Sequence, residues 1–349
     1  NGVPGENGLH GISGGAGADA FDSYAVFGDG SCNIIFGGAA GMLDLGFYFN
    51  QGGDGGPSTE ACPWSFGEVA GSGLSGAGAG SLPGGAGGTG GYHAWVQVFS
   101  CTGYETQGPM RGVDGQNGIS GADGFGGAGG LNVTGTITAS HWTGQKGSDG
   151  LKGADGSSAG GGGAGGSLMM HESCFAIYST TLIYAPTGGG GGSGAQGGSG
   201  GKGGTSGGAS FGIMVIDGTI PVIEGNTINL GNGGNGGNGA AGGLRGTGGE
   251  GGQGGSISPD LTAAINNLSP GLAGRGGNGG DGGFGGGGGG ATGGSSFGIY
   301  TSNCTGIPQY ETSNIFSGGA PGKGGMGGYS PGNTGQDGLN GIVVSCSYH

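Results

Sequence analysis

The chain is 349 residues long and holds 113 glycines, with 8% charged and 32% hydrophobic residues. So few charges exclude a charge-swollen disordered chain, and so few apolar residues exclude an ordinary globular core. Seven basic side chains against 21 acidic ones, a formal net charge of −14, argue against nucleic acid or an anionic membrane as partner.

In chain order the sequence alternates two textures. Glycine falls at every third position over 2–17, 112–130, 144–156, 188–203, 231–255 (Ala240 alone breaking the register), 271–289 and 332–341. Between these runs lie β-branched and aromatic segments bounded by turn residues, which predict strands or hairpins. In order they are FDSYAVFGDGSCNIIF, YHAWVQVFSCTGY, LNVTGTITASHW, SLMMHESCFAIYSTTLIYAP, SFGIMVIDGTIPVIEGNTINL, SFGIYTSNCTGIPQYETSNIF and GIVVSCSYH. Pro259 to Asn267 allows one helical turn. The strand segments recur at a spacing of roughly forty residues, as stacked repeats do. One body of eight units is expected, at 1–56, 57–91, 92–130, 131–166, 167–208, 209–255, 256–294 and 295–349.

A period of three means three residues per turn, the polyproline II or polyglycine II helix, which rises about 3.1 Å per residue and has no internal hydrogen bonds. Its N–H and C=O groups need partners on adjacent chains, and glycine gives the clearance for them. The expected fold is therefore mostly β and irregular, with short β units, solenoid-like or layered, joined by polyglycine II arms and almost no α-helix. A collagen triple helix is disfavoured by only 12 prolines and by the strand interruptions. The register from Gly271 to Gly289 predicts a single pass of about 55–60 Å. The break at Ser157-Ser158-Ala159 predicts a turn in its arm.

Arms such as GGNGGDGGFGGGGGG, Gly276 to Gly290, resemble the polyglycine II bundles of phage tail-tip adhesins and of the springtail antifreeze protein. The alternation of SFGIY-type strands with GGAGG-type runs is similar to Gly-rich, PGRS-like repeat proteins of bacterial surfaces. The resemblance is compositional and carries over no site residue. Unlike the antifreeze arms, the outward positions here are mixed Asn, Asp, Ser, Lys and Gln.

Candidate chemistry is sparse. GxGxxG recurs too often in so glycine-rich a chain to signal a nucleotide site. GGNGGD at 276–281 fits half a calcium-binding nonapeptide, but Gly283 stands where a large apolar residue is needed. Asp114, Asp123, Asp149, Asp155 and Asp337 read as solvated outward positions or Asx-type caps. His10, His93, His141, His171 and His349 stand alone, and Trp64, Trp95 and Trp142 are expected to cover the ends of the glycine bundle. Asp217 with Glu224 is the best carboxylate pair. Asn132, Asn267 and Asn303 open glycosylation sequons. No catalytic, cofactor-binding or metal residue is nominated.

Cys32, Cys62, Cys101, Cys174, Cys304 and Cys346 lack CxxC spacing and read as up to three disulfides in an oxidising setting, with Cys304 to Cys346 the expected pair. No run of about twenty apolar residues is present to span a membrane. Asn1 in place of Met suggests a processed form. The chain opens on an arm and closes on a strand unit, so a fibre is expected. In it, Ile342, Val343, Val344 and Ser345 pair with a neighbouring subunit, and the arm from Gly2 to Gly17 completes another subunit's bundle. The leading functional expectation is an extracellular or cell-surface structural protein that assembles with itself. The alternatives are an adhesin for glycans or a receptor, and a β-helical polysaccharide-active enzyme.

Overall fold

The computed structural model describes residues 1–22, 25–26, 34–35, 37–44, 49–59, 70–92, 94–99, 111–138, 141–174, 177–183, 185–257, 271–306 and 308–349. The predicted helical turn at Pro259 to Asn267 lies outside them. Among the described residues helix is limited to one turn, α1 (Tyr310–Ser313), and the strands form small sheets. The first ten strands are β1 (Ala25–Val26), β2 (Ile34–Ile35), β3 (Met42–Asp44), β4 (Phe49–Gln51), β5 (Ser58–Thr59), β6 (Ala94–Phe99), β7 (Thr136–Thr138), β8 (His141–Thr143), β9 (Leu168–Cys174) and β10 (Ile177–Ile183). The rest are β11 (Ser210–Thr219), β12 (Thr227–Leu230), β13 (Ser296–Thr305), β14 (Ile315–Gly318) and β15 (Val343–Tyr348).

Most of the described chain is neither helix nor strand, yet its backbone is extensively hydrogen-bonded. Arms run over 2–20, 38–41, 52–56, 70–77, 84–91, 112–130, 147–165, 187–207, 231–255, 271–294, 320–329 and 333–341, and each bonds to others at every third residue. The donors Gly2, Gly5, Gly8, Gly11, Gly14 and Gly17 pair with the carbonyls of Asn235, Asn238, Ala241, Leu244, Thr247 and Glu250, a parallel register. Gly276, Gly279, Gly282, Gly285 and Gly288 pair with the carbonyls of Gly252, Gly249, Gly246, Gly243 and Ala240, an antiparallel one. From 112 onward successive arms alternate in direction, so the strand segments between them gather at the two ends of the bundle.

Arm 271–294 bonds to arms 112–130, 147–165, 187–207, 231–255, 320–329 and 333–341; it is buried throughout over 285–294, whereas Leu272, Arg275 and Asn278 in its first half are exposed. Such burial requires residues without bulk: Ser157, Ser158, Ala159, Ser193, Ala195, Ala291 and Thr292 are fully buried at these inner positions. The register also runs unbroken through Ser157-Ser158-Ala159, from Gly156 bonding Ala195 to Gly162 bonding Gly189. The expected turn there is corrected: serine and alanine fit the interior in place of glycine. Arm 271–294 is a single pass, its acceptors on arm 147–165 descending in step as its donors advance from Gly274 to Gly289.

One end carries a conventional apolar core. β11, β13 and β15 form a parallel sheet in which the near-repeats pair directly, Phe211 beside Phe297 and Ile213 beside Ile299, while Phe297 lies beside Val344. β12 and β14 pair in parallel alongside. Ile228, Leu230, Ile299, Tyr310 and Cys346 bury their side chains together, flanked by Ile213, Ile220, Ile223 and Phe316. An aromatic group joins it: Phe211 stacks on Phe297 at 5.3 Å, Tyr300 stacks on His349 at 5.0 Å, and Trp142 meets Phe211 edge-on at 6.2 Å. At this end Trp142 covers the bundle as expected; the side chains of Trp64 and Trp95 lie outside the described residues.

Candidate functional site

The arms' short polar side chains form a repeating acceptor system. In parallel arm pairs, a side-chain oxygen just before a register glycine takes the neighbour's next N–H. Asn1, Asn7, Ser13 and Asp19 accept from Asn235, Ala241, Thr247 and Gln253 at 2.8–3.3 Å, every pair 234 residues apart. Asp114, Asn117, Ser120 and Asp123 accept from Arg275, Asn278, Asp281 and Phe284 at 2.8–3.3 Å, every pair 161 apart. Antiparallel pairs do the same: Asp149 accepts from Gly203, Asp155 from Gly197, Asn278 from Gly251, Asp281 from Gly248 and Asp337 from Gly327.

Asp114, Asp123, Asp149 and Asp337 are exposed, as the outward reading expects, and these bonds add a second role for all five aspartates, Asp155 included. A carboxylate one step before a register glycine reaches the N–H that the backbone ladder leaves unpaired, so it joins two arms. The half calcium motif is likewise occupied. Asp281 pairs with Arg245 at 2.9 Å as well as with Gly248, and Arg245 lies over the Phe284 ring at 5.0 Å. Lys202, hydrogen-bonded to Asp149 at 2.8 Å, and the Gly203 N–H hold the Asp149 carboxyl below its ordinary value.

A second ladder uses hydroxyls. Thr205, Ser199, Ser193 and Thr187, six residues apart, accept from the N–H groups of Val3, Leu9, Gly15 and Phe21. The N-terminal arm is therefore built into its own chain: Gly2 bonds to Asn235 and Gly17 to Glu250. The expectation that it completes another subunit's bundle is corrected, because its register donors are already bonded here. Its outer face is open, with Leu9 78% exposed, Val3, Ile12 and Phe21 also exposed, and the exposed Glu6 in the same register between Val3 and Leu9. A similar stripe runs along arm 112–130, where Val113, Ile119, Phe125 and Leu131 recur at six-residue spacing and Phe125 is 72% exposed.

Of the other expected assembly residues, Val343 and Val344 pair with Ser296 and Phe297. The Ile342 N–H donates to the Ser295 hydroxyl at 3.0 Å. β15, which includes Ser345, lies at an edge of its sheet, with no described strand on its outer side.

Cys304 and Cys346 are free thiols, and the expected bridge between them is corrected. Cys346 lies opposite Ile299, five residues before Cys304 on β13, a separation of about 16 Å at strand rise, well beyond disulfide reach. Burial pushes the Cys346 thiol up. Cys32, Cys62 and Cys101, and the side chain of Cys174, lie outside the described residues.

Asp217 accepts from the Asn303 amide at 2.7 Å, and both residues have left-handed backbones, φ 56° and 55°. Glu224 lines a separate shallow cleft with Ile220, Pro221, Pro308 and Tyr310. Tyr310 donates to the Pro221 carbonyl at 2.6 Å, and burial raises its hydroxyl's pKa. Among the described residues there is no group of three metal-ligating side chains, and no helix is long and apolar enough to cross a membrane. Comparison with known protein families, with curated proteins and with solved structures finds no match.

Proposed function

We propose that this chain is an extracellular structural protein, the self-assembling subunit of a filament or surface appendage, whose body is a layered bundle of polyglycine II arms capped by small sheets. The three-residue hydrogen-bond register supports the arm assignment, because a three-residue turn directs a given face to the same neighbour once per turn. Burial of 285–294 among the neighbouring arms supports close packing of such arms. Cohesion then comes from backbone bonds and small side chains, which suits a thin, stiff material better than a ligand pocket.

The observation that carries self-assembly is the recurrence of exposed large apolar residues on one face of two outer arms, Val3, Leu9, Ile12 and Phe21 with the exposed Glu6 among them, and Val113, Ile119, Phe125 and Leu131 with Gln116 among them. Exposed apolar residues concentrated on one face and flanked by polar ones mark association surfaces in soluble proteins. The open edge of β15 adds a second, backbone-mediated surface. Light scattering and negative-stain imaging of the intact chain against a Leu9→Lys/Ile12→Lys variant test the proposal. Filaments from the intact chain and dispersed, equally stable subunits from the variant are expected; a monomeric intact chain at high concentration would refute it.

A second reading, a receptor- or glycan-binding adhesin, is favoured by one observation. At one end of the bundle the half-buried Trp142 and Phe211 and the exposed His349 group over the buried Phe297 and Tyr300, where a tip protein would present its recognition loops.

A further inference from the structure

We propose that Asn132 is an N-glycan acceptor and that Asn303, in an equally complete sequon, is not. The proposal rests on the extracellular reading, since such transfer occurs on chains entering a secretory route. Both sites read Asn-X-Thr, Asn132-Val133-Thr134 and Asn303-Cys304-Thr305, and both asparagines are exposed, so sequence does not separate them.

Their hydrogen bonds do. The Asn132 side-chain oxygen accepts from the Thr134 N–H at 3.1 Å, the Thr134 hydroxyl at 2.9 Å and the Gly135 N–H at 3.0 Å. The bonds of this turn all fall on the amide oxygen and point the sequon hydroxyl at the acceptor amide, so the nitrogen that takes the sugar, on an exposed residue, stands outside them. The turn is itself anchored, because the Trp142 indole N–H donates to the Thr134 carbonyl at 2.9 Å. At Asn303 the amide nitrogen is the engaged atom, donating to Asp217 at 2.7 Å, while its backbone N–H donates to His349. A glycan on that nitrogen displaces a bond joining two left-handed residues on paired strands. A glycan at Asn132 breaks no bond and shields Leu131, 63% exposed beside it.

The transfer forms a bond from the Asn132 amide nitrogen to the anomeric carbon of an oligosaccharide and breaks that carbon's C–O bond to a lipid pyrophosphate. The lipid pyrophosphate leaves with the phosphates and the bonding electrons, while the displaced amide proton passes to base. Translation of the full chain behind a cleavable signal peptide, with endoplasmic-reticulum microsomes, forces entry and counts glycans by gel mobility. The expected result is a glycan lost in Asn132→Gln and in Thr134→Ala and retained in Asn303→Gln. Thr134→Ala keeps the asparagine, so its effect reports the sequon hydroxyl and not a damaged fold. The same glycan number with and without Asn132, or a glycan lost in Asn303→Gln, overturns the assignment. Fractionation of the natural source tests the extracellular reading separately, so the two failures are distinguishable.

Discussion

At the residue scale, the decisive unit is a register glycine with the acceptor that precedes it. Gly237 donates to the Thr205 carbonyl at 2.8 Å and accepts from the Ala291 N–H at 3.0 Å. A side chain at this position would overlap the Val3 carbonyl oxygen. Gly237→Val must therefore part three arms and strand buried amides, and we expect it to cost about 3–6 kcal/mol, from two orphaned groups plus overlap. Asn235 accepts from the Lys323 N–H at 2.9 Å. Asn235→Ala should cost about 1 kcal/mol for that one exposed bond, a gap that thermal melts of the two variants can resolve. Asp149 supplies a pH test. Its folded pKa lies below the ordinary 3.8, so its contribution is fully present above that value and is lost as pH falls through the folded pKa. The stability difference between wild type and Asp149→Asn, followed by acid titration of the melting temperature, should shrink over that window below pH 3.8; a difference independent of pH would contradict the assignment.

At the element scale, arms and strands draw on different sources of stability. The paired strands bury large side chains, so Ile299→Ala, at a fully buried position, should cost about 2–5 kcal/mol by chemical denaturation. The arms bury almost none and depend on amide pairing. This division explains what the sequence made legible. The three-residue glycine period marked the arms, and the repeated SFGI marked the two strands that pair, because both are periodic signals within local sequence. The acceptor role of Asp114 or Asn1 was not legible, because it depends on a partner N–H 161 or 234 residues away. The serine break at 157–159 misled for the same reason: a buried inner position tolerates Ser or Ala, and only the neighbouring arms show that it is inner. Pairing Cys304 with Cys346 by adjacency failed because the parallel register sets them far apart along the sheet.

At the scale of the whole molecule, the central claim is that arms with no internal hydrogen bonds are ordered by their neighbours in a three-residue register. An outer arm shows this most clearly. In arm 112–130 the N–H groups of Gly115, Gly118, Gly121, Gly124 and Gly127 bond inward to arm 271–294, whereas Asp114, Asn117, Ser120 and Asp123 present their side chains, not their N–H groups, to that arm. Residue-resolved amide hydrogen exchange by NMR reads the pattern directly. The account predicts slow exchange at those five glycines and fast exchange at Asp114, Asn117, Ser120 and Asp123, a protection pattern of period three. Uniformly fast exchange along the arm, or protection alternating with a period of two, would contradict it.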